Sequence, residues 1–383
     1  MENASEANLV RKDVIAVSKL LVVKVGTRVL THETGVIDEA QIEALSNDLC
    51  DLVESGKRVV LVSSGAVGAG MSQLGLRERP TDVAKLQAIA AIGQAHLINV
   101  YNRTFQKRGF HAAQVLLTAD DLNHRARYLN VRNTLFSLLS LRAIPVINEN
   151  DTVAVDELIA TFGDNDRLAA MVTNLLQAGL LIILSDVEGL YDGPPDAPGS
   201  QLVDTVVSID ERVMGFVRDQ QNQFSRGGMA SKISAAKAVT SAGENVIIAR
   251  GRREKVLHEI CQAKTVGTLF IAKGKSVTPR KRWLSFSVQP RGKIVLDQGA
   301  VVAIRDQGRS LLPIGVTDVQ GSFEKGDAVS LCDQMGTEIA RGLCNYCAAD
   351  VRKIQGLRSE KIGQVLGYRA YEELVHRNNM AIV

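Results

Sequence analysis

Two clusters of short carboxylates and amides lie between a predicted strand and a predicted helix. The segment INENDTVAVDEL covers residues 147–158, and GDNDR follows at 163–167. N-capping of the helix would explain one such residue, but not all six: Asn148, Asn150, Asp151, Asp164, Asn165 and Asp166. Oxygen acceptors in this number suit an ammonium group, a lysine side chain or hydrated Mg²⁺. A solvated acidic loop is the alternative.

Two more candidate loops follow the first two predicted strands. In KVGTRVL (24–30), Gly26 would let backbone N–H groups approach a phosphate and Lys24 would add a point charge. In VSSGAVGAG (62–70), two hydroxyls and three glycines open a predicted helix, a pattern that favours an anion. The alternatives are a plain strand–turn and a tightly packed turn. Neither loop is a Walker A or GxGxxG sequence.

The fourth candidate site combines LSDVEGLYDGPP (184–195) with SRGGMASKISAAK (225–237). The first leaves a predicted strand. The second places a glycine pair at the start of a helix, with Lys232 one turn inside it. This arrangement could hold the phosphate tail of a nucleotide, and a mobile surface loop is the alternative.

The elements that position these loops alternate between strand and helix. Buried strands are predicted at LLVVKVG, RVVLVSS, AAQVLL, AIPVIN, GLLIIL and ENVIIA, and helices at 37–56 and 83–105. Continuous apolar strands alternating with helices indicate a mostly parallel sheet covered on both faces. In such sheets, ligands bind beyond the carboxyl ends of the strands, where all four loops lie.

The chain divides into unequal parts. We predict an N-terminal extension (1–19), expected to be loose, an α/β domain (20–275), a linker (276–289) and a small domain (290–383). Short alternating segments punctuated by Gly and Asp, among them RGKIVLDQGAVVAI, predict an all-β fold for the last part.

Composition limits the class of protein. The chain has 383 residues, 45% of them hydrophobic, and a formal net charge of +3. No apolar run approaches the roughly 20 residues of a membrane span, and the start has no signal-peptide pattern, so we expect a cytoplasmic protein.

The CNYC segment (344–347) lacks the second cysteine pair of a structural zinc site, and we expect these cysteines in the core.

Six motifs in this order and spacing resemble the amino acid kinase family: KVGTRVL, VSSGAVGAG, PVINENDTVA, FGDNDRLAA, LSDVEGLYD and GGMASKISAA. The C-terminal segment resembles a PUA domain. The resemblance implies a three-layer αβα sandwich that transfers the γ-phosphoryl group of ATP to a carboxylate, with Mg²⁺. Within the family, the pattern is most similar to members that phosphorylate L-glutamate at the start of proline biosynthesis. Those members are often inhibited by proline and form dimers or tetramers.

The resemblance also implies roles for individual residues, with no metal ligand assigned. Catalysis would involve Lys24, Lys232, Asp166 and Asp164. Glutamate would be bound by Ser64, Gly65, Asn150, Asp151 and Asn165. ATP would be bound by Lys24, Gly26, Ser185, Asp186, Arg226, Gly227, Gly228, Met229, Ala230, Ser231 and Lys232. Two residues depart from the family pattern: Ser185 replaces a common threonine, and Arg226 replaces a small residue or threonine.

The chemistry agrees with the resemblance. A glutamate γ-carboxylate is ionised at pH 7 and needs no general base, so phosphoryl transfer requires alignment and charge neutralisation. Two rival hypotheses are a kinase fused to an RNA-binding PUA domain and an inactive metabolite sensor. The slight basic excess in the C-terminal part and the absence of interleaved aromatic and basic residues disfavour the first. The intact lysines and aspartates disfavour the second.

Overall fold

The computed structural model describes residues 2–32, 34–153, 165–195, 197–218, 228–272, 283–284, 288–369 and 371–382. The chain forms two compact units, Met1–Ser276 and Val277–Val383. The division falls at the start of the predicted linker (276–289). Each unit has its own hydrophobic core.

The first unit alternates strands and helices. Its strands are β1 (Leu20–Val25), β2 (Arg58–Ser63), β3 (His111–Leu117), β4 (Ala143–Glu149), β5 (Leu180–Ser185), β6 (Thr205–Val206), β7 (Asn245–Arg250) and β8 (Thr268–Phe270). Its helices are α1 (Glu2–Val17), α2 (Thr27–Leu30), α3 (Glu39–Glu54), α4 (Ala66–Gln73), α5 (Val83–Lys107), α6 (Ala119–Asn123), α7 (Arg125–Ser140), α8 (Asn165–Leu176), α9 (Glu211–Arg218), α10 (Met229–Ser241) and α11 (Val256–Cys261).

The described strands of this unit form one sheet, in the order β3-β4-β2-β1-β5-β7-β8-β6. Neighbouring strands are parallel except β7 and β8, which are antiparallel. Every residue of β1 and of β5 is buried. A strand buried on both faces explains the continuous apolar runs of the sequence.

Helices cover both faces of the sheet. Leu21 and Val23 of β1 belong to a core cluster that includes residues of α3, α5 and α11. Successive strand residues point to opposite faces, so Val22, which is also fully buried, faces the other layer. On that side, α8 contacts β1 and β5, and α10 contacts β7. The predicted αβα sandwich with a mostly parallel sheet is confirmed.

Glycine brings α4 and α5 into backbone contact. A Cβ atom on Gly93 would lie 1.8 Å from the Ala66 carbonyl oxygen, and one on Gly70 would lie 1.9 Å from that of Ile89. Real Cβ atoms do not approach so closely, so these positions exclude side chains. Gly70 therefore serves the packing of α4 against α5, a close-packing role inside a helix and not in the tightly packed turn that was the alternative interpretation of VSSGAVGAG.

The N-terminal extension is helical, and the expectation of a loose segment is wrong. Arg11 of α1 is buried, and its guanidinium donates to the carbonyl oxygens of Val266 (3.0 Å), Asp204 (2.7 Å) and Gly267 (2.8 Å). These partners lie more than 190 residues away along the chain, so the polar local sequence carries no sign of them.

The second unit is rich in β structure, as predicted, but also contains helices. Its strands are β9 (Gly292–Leu296), β10 (Val316–Gly321), β11 (Ala328–Cys332), β12 (Glu338–Leu343) and β13 (Met380–Ile382), in the order β10-β9-β11-β12-β13. Its helices are α12 (Gln298–Arg305), α13 (Ala348–Ile354) and α14 (Ile362–Leu366), with short 3₁₀ turns at Pro313–Gly315, Ser359–Lys361 and Arg377–Asn379. The all-β expectation is therefore wrong for GAVVAI, which lies in α12. Asp297 caps this helix by accepting from the Ala300 N–H.

Cys344 is buried in this unit, as expected, and burial raises the pKa of its thiol to about 11, but Cys347 is only half-buried, so the expectation of a core position is wrong for it. In the part of the chain that the structure describes, none of the helices is both long and apolar enough to cross a membrane.

Candidate active site

The ends of five neighbouring strands bring the predicted site residues together. β4, β2, β1, β5 and β7 are adjacent and parallel, so their carboxyl ends meet along one edge of the sheet. Lys24, next to last in β1, pairs in register with Val62 of β2 and Ile183 of β5. The first residues of α8, Asn165 and Asp166, contact residues at the ends of three of these strands, β1, β2 and β4. The site thus forms where doubly wound sheets bind ligands.

Asp166 bridges two lysines that are far apart in sequence. Its Oδ1 lies 2.6 Å from the Lys24 Nζ, and its Oδ2 lies 3.4 Å from the Lys232 Nζ. The Ser231 hydroxyl donates to the same Oδ2 at 2.8 Å. Asp166 is 1% exposed, and both lysines are 6% exposed. We call Lys24, Asp166 and Lys232 the charged triad.

The charged triad holds more positive than negative charge. Burial alone would raise the pKa of Asp166, but the charges of Lys24 and Lys232 and the hydrogen bonds from Lys24 and Ser231 lower it below its usual value. Asp166 is therefore ionised at neutral pH, and two buried ammonium groups share one carboxylate. Two buried ammonium groups at one site are suited to an anionic ligand such as a phosphate.

Asn165, the neighbour of Asp166 in α8, organises an uncharged group of side chains. Its amide nitrogen donates to the Ser64 hydroxyl (2.8 Å), the Asn148 Oδ1 (3.0 Å) and the Ser63 carbonyl oxygen (3.1 Å). These contacts join the ends of β2 and β4 to α8. We call Ser64, Asn148 and Asn165 the amide cluster. The Oδ1 atom of Asn165 is buried and has no hydrogen-bond partner among the described residues.

Two residues of this region, Asn148 in the amide cluster and Tyr101 beside it, have no individual role in the sequence-based prediction. The side chain of Asn148 also accepts from the Glu149 N–H at 2.9 Å, which fixes its orientation. The Ser63 hydroxyl lies 3.0 Å from the hydroxyl of Tyr101, a fully buried residue of α5. Asn148 belongs to the polar segment INENDTVAVDEL, so the unusual number of amides and carboxylates in that segment already marked it. Tyr101 resembles any other core residue of an amphipathic helix, and no sequence signal marks it.

The end of β5 is tied to the residues that follow β1. The Ser185 hydroxyl donates to the Asp186 Oδ1 at 3.0 Å, and Arg28 donates to the Asp186 Oδ2 at 2.7 Å. Burial would raise the pKa of Asp186, but Arg28 and Ser185 together lower it. Both oxygens of this predicted ATP-binding carboxylate are thus engaged within the protein.

The start of α10 lies beside the charged triad. Gly228 is its N-cap residue and provides no side-chain hydrogen bond, and Met229 and Ala230 open the helix. The free N–H groups of a helix start carry partial positive charge. Lys232 extends from the first turn to Asp166. This half of the site therefore offers backbone donors and ammonium groups together.

Other predicted residues have local structural roles. The Gly26 N–H donates to the Leu184 carbonyl oxygen at 3.1 Å, so it is already engaged in the sheet. Gly65 adopts a φ of 99° as the N-cap of α4, a conformation that favours glycine. The Asn150 side chain accepts from the Thr152 hydroxyl at 2.6 Å in the turn after β4. Asp151 lies in the same turn and is half-buried.

Three predicted site residues, Asp164, Arg226 and Gly227, lie outside the described residues. Within the described ranges, no group of three or more His, Cys, Asp or Glu residues could hold a metal ion. Asp166 and Asp186 are each paired with a cation. We therefore assign no protein ligand to Mg²⁺.

Profiles of two known protein families match the chain. The amino acid kinase family profile matches residues 19–250, and the PUA domain profile matches residues 292–366. The chain therefore belongs to the amino acid kinase family and carries a C-terminal PUA domain.

Similar proteins indicate which group within the amino acid kinase family the chain belongs to. The chain is 49% identical to glutamate 5-kinase of Rhodopirellula baltica, over 100% of this chain and 99% of the relative. It is 45% identical to glutamate 5-kinase of Nostoc punctiforme, over 96% and 100%. Carbamate kinase from Giardia lamblia bound to AMP-PNP, a solved structure, aligns over 67% of this chain and 100% of its own at a TM-score of 0.49 and 18% identity. By its full-length relatives, the chain belongs to the glutamate 5-kinases.

Proposed function

We propose that this protein catalyses the ATP-dependent phosphorylation of the γ-carboxylate of L-glutamate to γ-glutamyl phosphate, the first step of proline biosynthesis. The observation that carries the proposal is Asp166, buried between Lys24 (2.6 Å) and Lys232 (3.4 Å) at the edge of a parallel sheet. The full-length relatives of this protein that are named glutamate 5-kinase support L-glutamate as the substrate.

The charged triad supplies what phosphoryl transfer requires. A γ-carboxylate oxygen of glutamate attacks the γ-phosphorus of ATP, the bond to the β–γ bridging oxygen breaks, and ADP leaves. The carboxylate is already ionised at pH 7 and needs no base. Negative charge on the transferring group is stabilised by Lys24 and Lys232, and Asp166 fixes both ammonium groups before the substrate arrives.

The start of α10 and the end of β5 form the proposed ATP side of the site. Backbone N–H groups at Gly228, Met229 and Ala230 suit phosphate oxygens. Ser185, Asp186 and Ser231 border the same region through their contacts with Arg28 and Asp166. Arg226 and Gly227 are proposed to belong to this side on sequence grounds.

The amide cluster forms the proposed glutamate side. The Asn165 Oδ1, which has no hydrogen-bond partner among the described residues, is a buried acceptor that suits the substrate ammonium group. The Ser64 hydroxyl accepts from Asn165 and keeps its own proton for a substrate carboxylate. Gly65, Asn150 and Asp151 are proposed to complete this side, and Asp164 is proposed to assist the catalytic residues.

Three further parts of the proposal concern partners. Mg²⁺ enters as the MgATP complex, held mainly by phosphate oxygens and water, as is usual for this ion. The protein forms homodimers or homotetramers. Proline, the distant product, inhibits it. The last two rest on the family resemblance.

The test is ADP release with L-glutamate, L-aspartate, N-acetyl-L-glutamate and carbamate as separate acceptors. We expect turnover with L-glutamate alone and a loss of at least about 100-fold in Lys232→Ala, because one preorganised electrostatic group is worth that much. Lys237→Ala is the matched control: Lys237 lies in the same helix and is exposed. Turnover with a different acceptor would overturn the assigned substrate, and unchanged turnover in Lys232→Ala would overturn the assigned site.

A further inference from the structure

Arg252 connects the loop after β7 to the loop after β1. Its guanidinium donates to the Thr31 carbonyl oxygen (2.6 Å), the Asp38 Oδ2 (3.0 Å) and the Arg28 carbonyl oxygen (3.4 Å). Asp38 at the same time caps α3, since its Oδ1 accepts from the Gln41 N–H at 3.0 Å. One arginine side chain therefore contacts both the end of α2 and the start of α3.

The helix α2 depends on such outside contacts. It has only four residues, Thr27–Leu30, and a helix of this length is not stable on its own. The carbonyl groups at its end lack partners inside the helix. A positively charged donor at a helix C-terminus satisfies those carbonyls and interacts favourably with the helix dipole. Arg252 provides this donor at Arg28 and Thr31.

A second residue of the same loop, Gly251, packs against α2. Gly251 lies so close that a Cβ atom there would be 2.7 Å from the Val29 side chain. The Gly251 N–H donates to the Ser185 carbonyl oxygen at 2.8 Å, and its own carbonyl oxygen accepts from Gln41 at 3.1 Å. The loop after β7 is thus fixed to the end of β5 and to α3, and α2 packs on it.

The position of α2 sets the position of groups on the ATP side of the site. Lys24 lies three residues before α2, and Arg28 within it holds Asp186 at 2.7 Å. A shift of α2 would therefore disturb Asp186 directly and Lys24 through the short connection. The amide cluster has no residue in α2 or in the loop after β7.

We propose that Arg252 is a positioning residue for the ATP side of the site, acting through α2 on Lys24 and Asp186. The proposal rests on the proposed function for its kinetic readout. It predicts an effect on ATP that is separate from any effect on glutamate, which a general loss of folding would not produce.

The test compares Arg252→Ala, Arg252→Lys and Arg253→Ala in the full-length chain. Arg253 is the adjacent arginine and pairs with Glu259 at 2.5 Å, away from α2, so it is the matched control. For Arg252→Ala, we expect the KM for ATP to rise at least about 10-fold, because small misplacements of catalytic groups have large effects. The KM for L-glutamate should change less than about twofold, and Arg253→Ala should resemble wild type.

Arg252→Lys should recover part of the ATP effect, since an ammonium group keeps the charge at Asp38 but cannot span both carbonyls. Equal changes in both KM values, or the same ATP effect in Arg253→Ala, would overturn the proposal.

Binding of ATP, measured by calorimetry without an acceptor, separates this proposal from the proposed function. If wild type binds ATP but does not turn over glutamate, the proposed function fails while Arg252 is still tested by its effect on the Kd for ATP. An unchanged Kd for ATP in a folded Arg252→Ala would refute the positioning role.

Discussion

The charged triad and the amide cluster are adjacent, equally buried and built on consecutive residues of α8, yet they differ in charge. Asp166 joins two ammonium groups and is 1% exposed, while Asn165 joins a hydroxyl, an amide and a carbonyl oxygen and is 6% exposed. In the proposed function, the charged triad neutralises charge during transfer and the neutral hydrogen bonds of the amide cluster orient the glutamate. Burial alone therefore does not indicate what a polar residue does.

The largest expected effect comes from Asp166→Asn, which keeps the shape of the charged triad and removes its only negative charge. Two buried ammonium groups would then lose this carboxylate, and breaking a buried ion pair lowers the free energy of unfolding by about 3–5 kcal/mol. We expect kcat to fall by at least about 100-fold, because the lysines lose their orientation. Urea unfolding and steady-state kinetics measure the two effects. A change in stability below about 1 kcal/mol would mean that the triad is not coupled as the geometry indicates.

The ionisation of Asp166 gives the second prediction, which concerns the pH dependence of stability. The pKa of Asp166 is lower in the folded than in the unfolded protein, so the unfolded state binds more protons in this range and stability rises with pH. The stabilisation is complete above the unfolded pKa of about 3.9 and is lost as pH falls through the lower folded value. The stability difference between wild type and Asp166→Asn should therefore be constant near neutral pH and shrink below about pH 4. A difference that grows on acidification would contradict this sign.

A smaller effect is expected from Asn165→Ala, and on a different substrate. Loss of the amide removes donors from Ser64, Asn148 and the Ser63 carbonyl, at about 1–2 kcal/mol. The KM for L-glutamate should rise about 10-fold, since 1.4 kcal/mol is a factor of ten, and the KM for ATP should stay within about twofold. Initial-rate kinetics, with L-glutamate and ATP varied in turn, measure the two KM values separately. A larger change for ATP than for glutamate would reverse the assignment of the two sides.

The smallest effect is expected from Asn174→Leu. Together with Asn165→Leu, this variant compares two asparagines of α8. Asn174 is 1% exposed, and neither atom of its amide has a hydrogen-bond partner in the described part of the chain. Because a buried amide without partners is unfavourable, a leucine of similar shape should stabilise the protein by about 1 kcal/mol. Asn165→Leu should destabilise it. Thermal unfolding of both variants is the measurement, and equal losses would show that Asn174 has partners in solution.

The strands and most of the charged triad were accessible from sequence because each depends on local signals. LLVVKVG and GLLIIL are apolar on both faces, as β1 and β5 require, and Lys24 and Asp166 stand at an end of a strand and at the start of a helix. Their meeting follows from the rule that parallel strands end at one edge of the sheet. That Lys24, Asp166 and Lys232 would act together in catalysis came from the family resemblance.

Other features depend on tertiary contacts that no short window contains. The glycines Gly70 and Gly93 lie 23 residues apart, and only the approach of α4 and α5 explains both. The helix α12 was missed because GAVVAI is apolar like a strand, and the Asp297 cap that starts the helix is a single residue. The roles assigned to Asp164, Arg226 and Gly227 stay predictions.

The Arg11 contacts have a consequence for how the protein is made. The arginine is synthesised before its acceptors at Asp204 and Gly267, which follow 193 and 256 residues later. At about 5–20 residues per second, the intervening synthesis takes roughly 13–50 s. Through that time these Arg11 hydrogen bonds cannot form, whereas Lys57, which donates to the carbonyl oxygens of Ile15 and Ser18, is translated much earlier. The Arg11 contacts are therefore a late event that fastens an already partly docked helix.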